Sequence, residues 1–126
     1  NWLDVDHSAV EWNGKKQKDT SGEENTIAIP GFEKVTLYAN ETKQAVNFHN
    51  PEINDCYFKI SLIHPDGSVL WISDLIEPGK GMYSIELEKT LAVGEYENAV
   101  LKYECFSLND QSPLNGSEIN LKLVVV

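Results

Sequence analysis

Cys56 and Cys105 are the only two thiols in this chain of 126 residues, and they are the side chains best suited to covalent chemistry. Each sits in a segment that alternates apolar and polar residues, so pairing those segments as neighbouring strands turns both sulfurs to one side. Facing thiols either close a disulfide, worth at most about 4 kcal/mol through the entropy of the unfolded chain, or stay reduced and pack as small hydrophobes. Both readings stay open from sequence. Two cysteines and three scattered histidines, His7, His49 and His64, do not make a metal site. No nucleophile-elbow glycine pattern is present to anchor a Ser-His-Asp grouping. Asp4-x-Asp6 and Asn54-Asp55 lack the dense oxygen spacing of a calcium loop and read as exposed loop acids. No cofactor and no catalysis are expected.

The elements that must position these residues read as all-β. Turn signals at Pro30-Gly31, Pro51, Pro65-Asp66-Gly67, Pro78-Gly79, Gly94 and Asn115-Gly116 separate short alternating runs. These runs, at 34–39, 44–48, 56–64, 68–74, 82–89, 98–108 and 118–126, predict seven strands, with no helix and no internal repeat. Leu91-x-x-Gly94-x-Tyr96 has the form of a tyrosine corner, in which the Tyr hydroxyl bonds back to nearby backbone in a Greek-key sandwich. Residues 1–26 follow neither period and read as a linker or stalk with a short strand at 8–12. Residues 27–126 form the sandwich domain.

Composition narrows the function classes. The net charge is −10 and all ten basic residues are Lys, a poor match for nucleic acid, whose binding requires phosphate neutralisation, or for an anionic lipid surface. The start at Asn1 rather than Met, the all-β pattern and the Cys pair point to an exported domain. Membrane attachment would run through a segment outside these residues. A trimmed cytoplasmic protein is the competing reading.

Registering Cys56 opposite Cys105 sets Phe58 against Tyr103, Ile60 against Leu101 and Leu62 against Ala99. The following hairpin sets Leu101 against Leu123, Tyr103 against Leu121 and Cys105 against Ile119. The turn at Pro65-Asp66-Gly67 sets Leu62 near Leu70 and Ile60 near Ile72. Every inward pair is then apolar or a thiol. The other face carries a row of Lys59, Lys102 and Lys122, beside apolar Trp71, Val100 and Val124 with Ile63 and Val69 beyond. The lysines read either as a dock for an acidic polymer or segment, or as charges balanced by cross-strand partners such as Glu104 and Glu118. Trp71 has three readings: a platform for a sugar ring, an anchor for a protein or a second copy, or a patch covered by the N-terminal segment through Trp2 or Trp12.

Several blocks carry a family resemblance: Ile27-Ala28-Ile29-Pro30-Gly31-Phe32, Val46-Asn47-Phe48-His49-Asn50-Pro51-Glu52, Cys56-Tyr57-Phe58, Ile76-Glu77-Pro78-Gly79, and Tyr103-Glu104-Cys105 with Ser112-Pro113-Leu114-Asn115-Gly116. The chain resembles a family of small exported or membrane-anchored proteins of Gram-positive bacteria with an immunoglobulin-like β-sandwich. The resemblance runs from Ile27 to Val126. It implies display outside the cytoplasm and no known catalysis, and it supplies no functional residues. The expectation is a binding or structural module at the cell surface, associating through the outer face around Trp71 with a protein or a cell-wall or carbohydrate ligand. Self-association is compatible with it. The alternative is a carbohydrate-binding module of a degradative system.

Overall fold

The computed structural model describes residues 4–12 and 34–126. Within them eight strands form two sheets, and no residue is helical. The strands are β1 (Val10–Glu11), β2 (Lys34–Leu37), β3 (Lys43–His49), β4 (Cys56–Ile63), β5 (Val69–Ile72), β6 (Lys80–Glu86), β7 (Gly94–Ser107) and β8 (Pro113–Val125). One sheet has the order β1-β6-β3 and the other β2-β8-β7-β4-β5. The molecule is therefore an all-β, two-sheet sandwich. The count is eight rather than the expected seven because β1 joins the smaller sheet.

Every apolar run marked in the sequence becomes a strand, since alternation gives each one a face to bury. The inner faces meet around Phe58, Ile60 and Leu62 of β4, Leu101 and Tyr103 of β7, Leu121 and Leu123 of β8, and Phe48, Met82 and Ile85 of the smaller sheet, all buried. Full burial of such side chains stabilises by roughly 1.5–3 kcal/mol each.

Register departs from expectation by even steps on the central strands. Phe58, not Cys56, stands opposite Cys105, and Ile60 and Leu62 stand opposite Tyr103 and Leu101. Across the hairpin Leu101 meets Ile119 and Tyr103 meets Ser117, because the turn is tight enough for Phe106 to pair with Pro113. Shifts of two and four residues leave every inward residue inward, since side chains alternate with period two.

At β5 the correction is odd, and its effect is larger. A bulge lies between the pairs Ile63–Val69 and Leu62–Trp71, so Trp71 turns to the inner face and Ile72 to the outer one. Trp71 is only 7% exposed and packs on Phe48, with ring centroids 5.7 Å apart. Ser73 is also buried. Its Oγ accepts the Ile60 N–H at 2.9 Å and replaces a ladder bond where β5 ends.

The tyrosine corner is present: the Tyr96 hydroxyl donates to the Ala92 carbonyl at 2.8 Å. The described part of the N-terminal segment lies along the sandwich. Val5 bridges Leu75, Asp6 Oδ2 accepts the Asp74 N–H, and β1 pairs with β6. Trp12 stacks on His49 at 3.8 Å and 7° and donates its Nε1–H to Asn47 Oδ1. Gly81 makes room for that stack, since a Cβ there would come within 2.9 Å of the Trp12 ring and 2.8 Å of His49. Trp2 lies outside the described residues, as do residues 13–33.

Because Trp71 is a core residue, Trp71→Ala should lower unfolding free energy by about 3–5 kcal/mol. Chemical denaturation checks this, and a change under 1 kcal/mol would return the indole to the surface.

Candidate functional site

Two regions gather the residues singled out by the sequence. The first is the outer face of the larger sheet. The lysines do not line up there as a stripe. Lys59 stands opposite Glu104 and Lys102 opposite Glu118. Lys122 pairs with Glu95, with Glu97 at 3.5 Å, and those two acids raise its pKa while Lys122 holds the Glu95 carboxyl down. Even-numbered register shifts kept the lysines outward but moved acids into the facing positions, so charge balance replaces a docking stripe.

The apolar part of that face is also redrawn. Trp71 has left it, and Val124 stands opposite Glu95 and Thr36, away from the other apolar residues. Ile63 keeps Val69 and Val100 as direct neighbours. Ile72, two pairs along from them beside Ser61, takes the outward place expected of Trp71. Val69 is 45% exposed and Ile72 48% exposed, the largest apolar exposures on β5.

The loop carrying β4 into β5 borders this patch. Asp66 Oδ1 accepts the Ser68 hydroxyl at 2.6 Å and the Ser68 N–H at 2.8 Å. With His64 and Lys89 nearby, these bonds hold its carboxyl at about 2 against an ordinary 3.8, the Ser68 hydroxyl bond contributing most.

The second region is the β7–β8 hairpin and what lies beneath it. A cleft of about 520 Å³ lies between residues 102–106 of β7 and Pro113, Leu114, Gly116, Ser117 and Glu118 of β8. Gly116 sits where any Cβ would collide with the Tyr103 carbonyl oxygen, so glycine lets the bulged strand close on β7. Under the cleft, Tyr103 meets Phe58 edge-on at 5.1 Å. Its hydroxyl is buried without a hydrogen-bond partner, and that burial pushes its pKa up.

Cys56 and Cys105 are both buried and free. They occupy diagonal positions on one face of β4 and β7, with Cys56 opposite Ser107 and Cys105 opposite Phe58. A thiol–thiol hydrogen bond, then burial, pushes Cys105 up, while the same bond lowers Cys56.

Behind Cys56 stands a polar strut that sequence reasoning did not single out. Asn50 Nδ2 donates to the Cys56 carbonyl at 2.8 Å and the Ile76 carbonyl at 2.9 Å. Asn54 Nδ2 donates to Asn50 Oδ1 at 2.9 Å, and the Asn50 backbone bonds Lys80 and Gly79. The available signal was the position of Asn50-Pro51 between two apolar runs, where a buried amide must answer several backbone groups at once. The blocks that carried the family resemblance, those of residues 46–52, 56–58 and 76–79, meet at this strut.

The remaining candidates serve the fold. Asp6 Oδ1 caps Ser8, and Asn54 belongs to the strut. His49 lies under Trp12 and His64 beside Tyr96, ring to ring at 5.3 Å. Among the described residues no group of three or more His, Cys, Asp or Glu is placed to hold a metal ion. Comparison with known proteins gives no further guide: no family model, no curated protein and no solved structure matches this chain.

Two measurements test this description. Tyr103→Phe removes a buried hydroxyl with no partner and should raise stability by about 1 kcal/mol or more; a loss of stability in denaturant melts would mean that the hydroxyl is bonded. Asp66 has a folded pKa below its unfolded value, so its contribution is complete above pH 3.8 and fades as pH falls toward about 2. Carboxyl-carbon NMR should find a midpoint at about 2, and titration at the ordinary value would contradict the Ser68 cap.

Proposed function

We propose that this chain is a non-catalytic binding or structural module displayed outside the bacterial cytoplasm, with an immunoglobulin-like Greek-key topology. Three features support the fold reading. β2 runs parallel to β8 at one edge of the larger sheet, β3 and β6 pair in one sheet while β4 and β7 pair in the other, and Tyr96 bonds back to Ala92 at the start of β7. The extracytoplasmic setting rests on the sequence resemblance.

Association runs through the outer face of β4, β5 and β7, and the observation that carries this is the exposure of Val69 and Ile72 next to Ile63 and Val100. Apolar side chains grouped on a face otherwise set with Lys–Glu pairs mark a contact surface better than they mark a solvated one. The partner class is protein, since the patch is aliphatic. A carbohydrate-binding module would stack sugar rings on planar aromatics, and the Trp on which that alternative leaned is in the core.

Ile72→Asp, alone and with Val69→Asp, leaves the inner face intact. It should weaken self-association in sedimentation velocity, or capture of the surface-protein partner, by tenfold or more, with an unchanged circular dichroism spectrum. Equal behaviour of variant and wild type in both assays removes this face from the proposal.

A further inference from the structure

The register of β4 against β7 arranges the outer face of the larger sheet in rows. Read along the strands, these rows are Tyr57 with Phe106, Lys59 with Glu104, Ser61 with Lys102, and Ile63 with Val100. In the row of Ser61 and Lys102, β8 adds Glu118 on one side and β5 adds Ile72 on the other. One end of the face is therefore aromatic and the other aliphatic, with charge in the two rows between. On β7 those charges are Glu104 and Lys102, opposite in sign and one row apart.

We propose that the protein meeting this face is a second copy of the same chain, packed sheet on sheet about a two-fold axis that crosses β7 between Lys102 and Glu104. This rests on the outer face being the contact surface and names what meets it. Such an axis reverses the strand direction and lays each strand over its own equivalent, as in the aligned packing of two sheets. Glu104 of one molecule then meets Lys102 of the second copy, and Lys102 meets Glu104, so one ion pair is made twice. The same operation lays Val100 on Phe106 and Ile63 on Tyr57 of the second copy, apolar against apolar at both ends. Lys59 meets Ser61, and Glu118 meets the bulge at Asn115 and Gly116, so no charge in these rows faces its like.

Two other axes lie in the plane of this face, and charge disfavours both. An axis running along β7 stacks Lys102 on Lys102 and Glu104 on Glu104, and like charges brought together across an interface are repelled. An axis along the seam of β4 and β7 joins Lys59 to Glu104 but sets Glu118 on Ile72, burying a carboxylate against an aliphatic chain. The area is also of a fitting size. Four strands spaced about 4.8 Å apart, along the eight residues of β4, make a face roughly 19 Å by 27 Å. That gives about 500 Å² per molecule, at the low end for a specific pair, so the dimer is weak and reversible.

Sedimentation velocity of the full chain over a range of concentrations tests the axis, using wild type, Lys102→Glu, Glu104→Lys and an equimolar mixture of the two variants. Wild type should pass reversibly from monomer to dimer. Each variant alone sets like charges on each other at both equivalent contacts and should dimerise about tenfold more weakly or worse. Their mixture sets the acids of one chain on the lysines of the other at both contacts and should recover wild-type dimerisation. Circular dichroism checks the fold of each variant. Should one not fold, the concentration dependence of wild-type amide NMR shifts still decides, with changes expected around Val100, Lys102, Glu104 and Phe106. A wild type that stays monomeric throughout, a mixture no tighter than its components, or shifts confined to other faces would each overturn the proposal. A monomeric wild type that captures a surface protein, and loses it on Ile72→Asp, overturns the second copy and leaves the contact face standing.

Discussion

Eight consecutive cross-strand pairs join Cys56–Ile63 to the second half of β7, and every other side chain along them is driven between the two sheets. Phe58, Ile60, Leu62, Leu101, Tyr103 and both thiols belong to that inner set. Because the pleat repeats every two residues, moving any one of them outward would move its whole face. The ladder thus fixes at once what is core, what is surface, and that the two sulfurs share a side. β8 extends the same face with Leu121, Leu123 and Val125, and the smaller sheet closes over it.

Side-chain contacts join segments where ladder bonds cannot. Asn50 leaves the end of β3 and hands its amide hydrogens to carbonyls at Cys56 and Ile76, joining the smaller sheet to the first residue of β4. Trp12 brings the N-terminal segment onto His49 and Asn47. Gln44 does similar work at the β2–β3 turn, where its buried amide bonds Tyr38 through both oxygen and nitrogen and also the Glu41 carbonyl. Such buried amides are retained only when all their partners are in place. They make the sandwich ends well determined.

The surfaces that remain for function are accordingly modest. The outer face offers a short aliphatic patch between charge pairs. The β7–β8 hairpin adds a cleft lined by Lys102, Gly116 and Glu118. β7 is the element common to both.

What the residues alone determined is the set of strands and which side of each is buried. Seven alternating runs became β2 to β8, and the inner faces of β4, β7 and β8 carry the expected residues, because alternation is a local property with a direct energetic meaning. Leu91-x-x-Gly94-x-Tyr96 likewise announced its hydrogen bond, since both partners lie within one turn. The tertiary structure decided everything that depends on an offset between segments. Nothing local distinguishes Cys105 opposite Cys56 from Cys105 opposite Phe58, as both bury the same atoms, yet the difference sets the two thiols diagonally and not face to face. A single extra residue in β5 was equally invisible, and it exchanged Trp71 for Ile72 on the outer face, because an odd offset inverts the pleat while an even one preserves it.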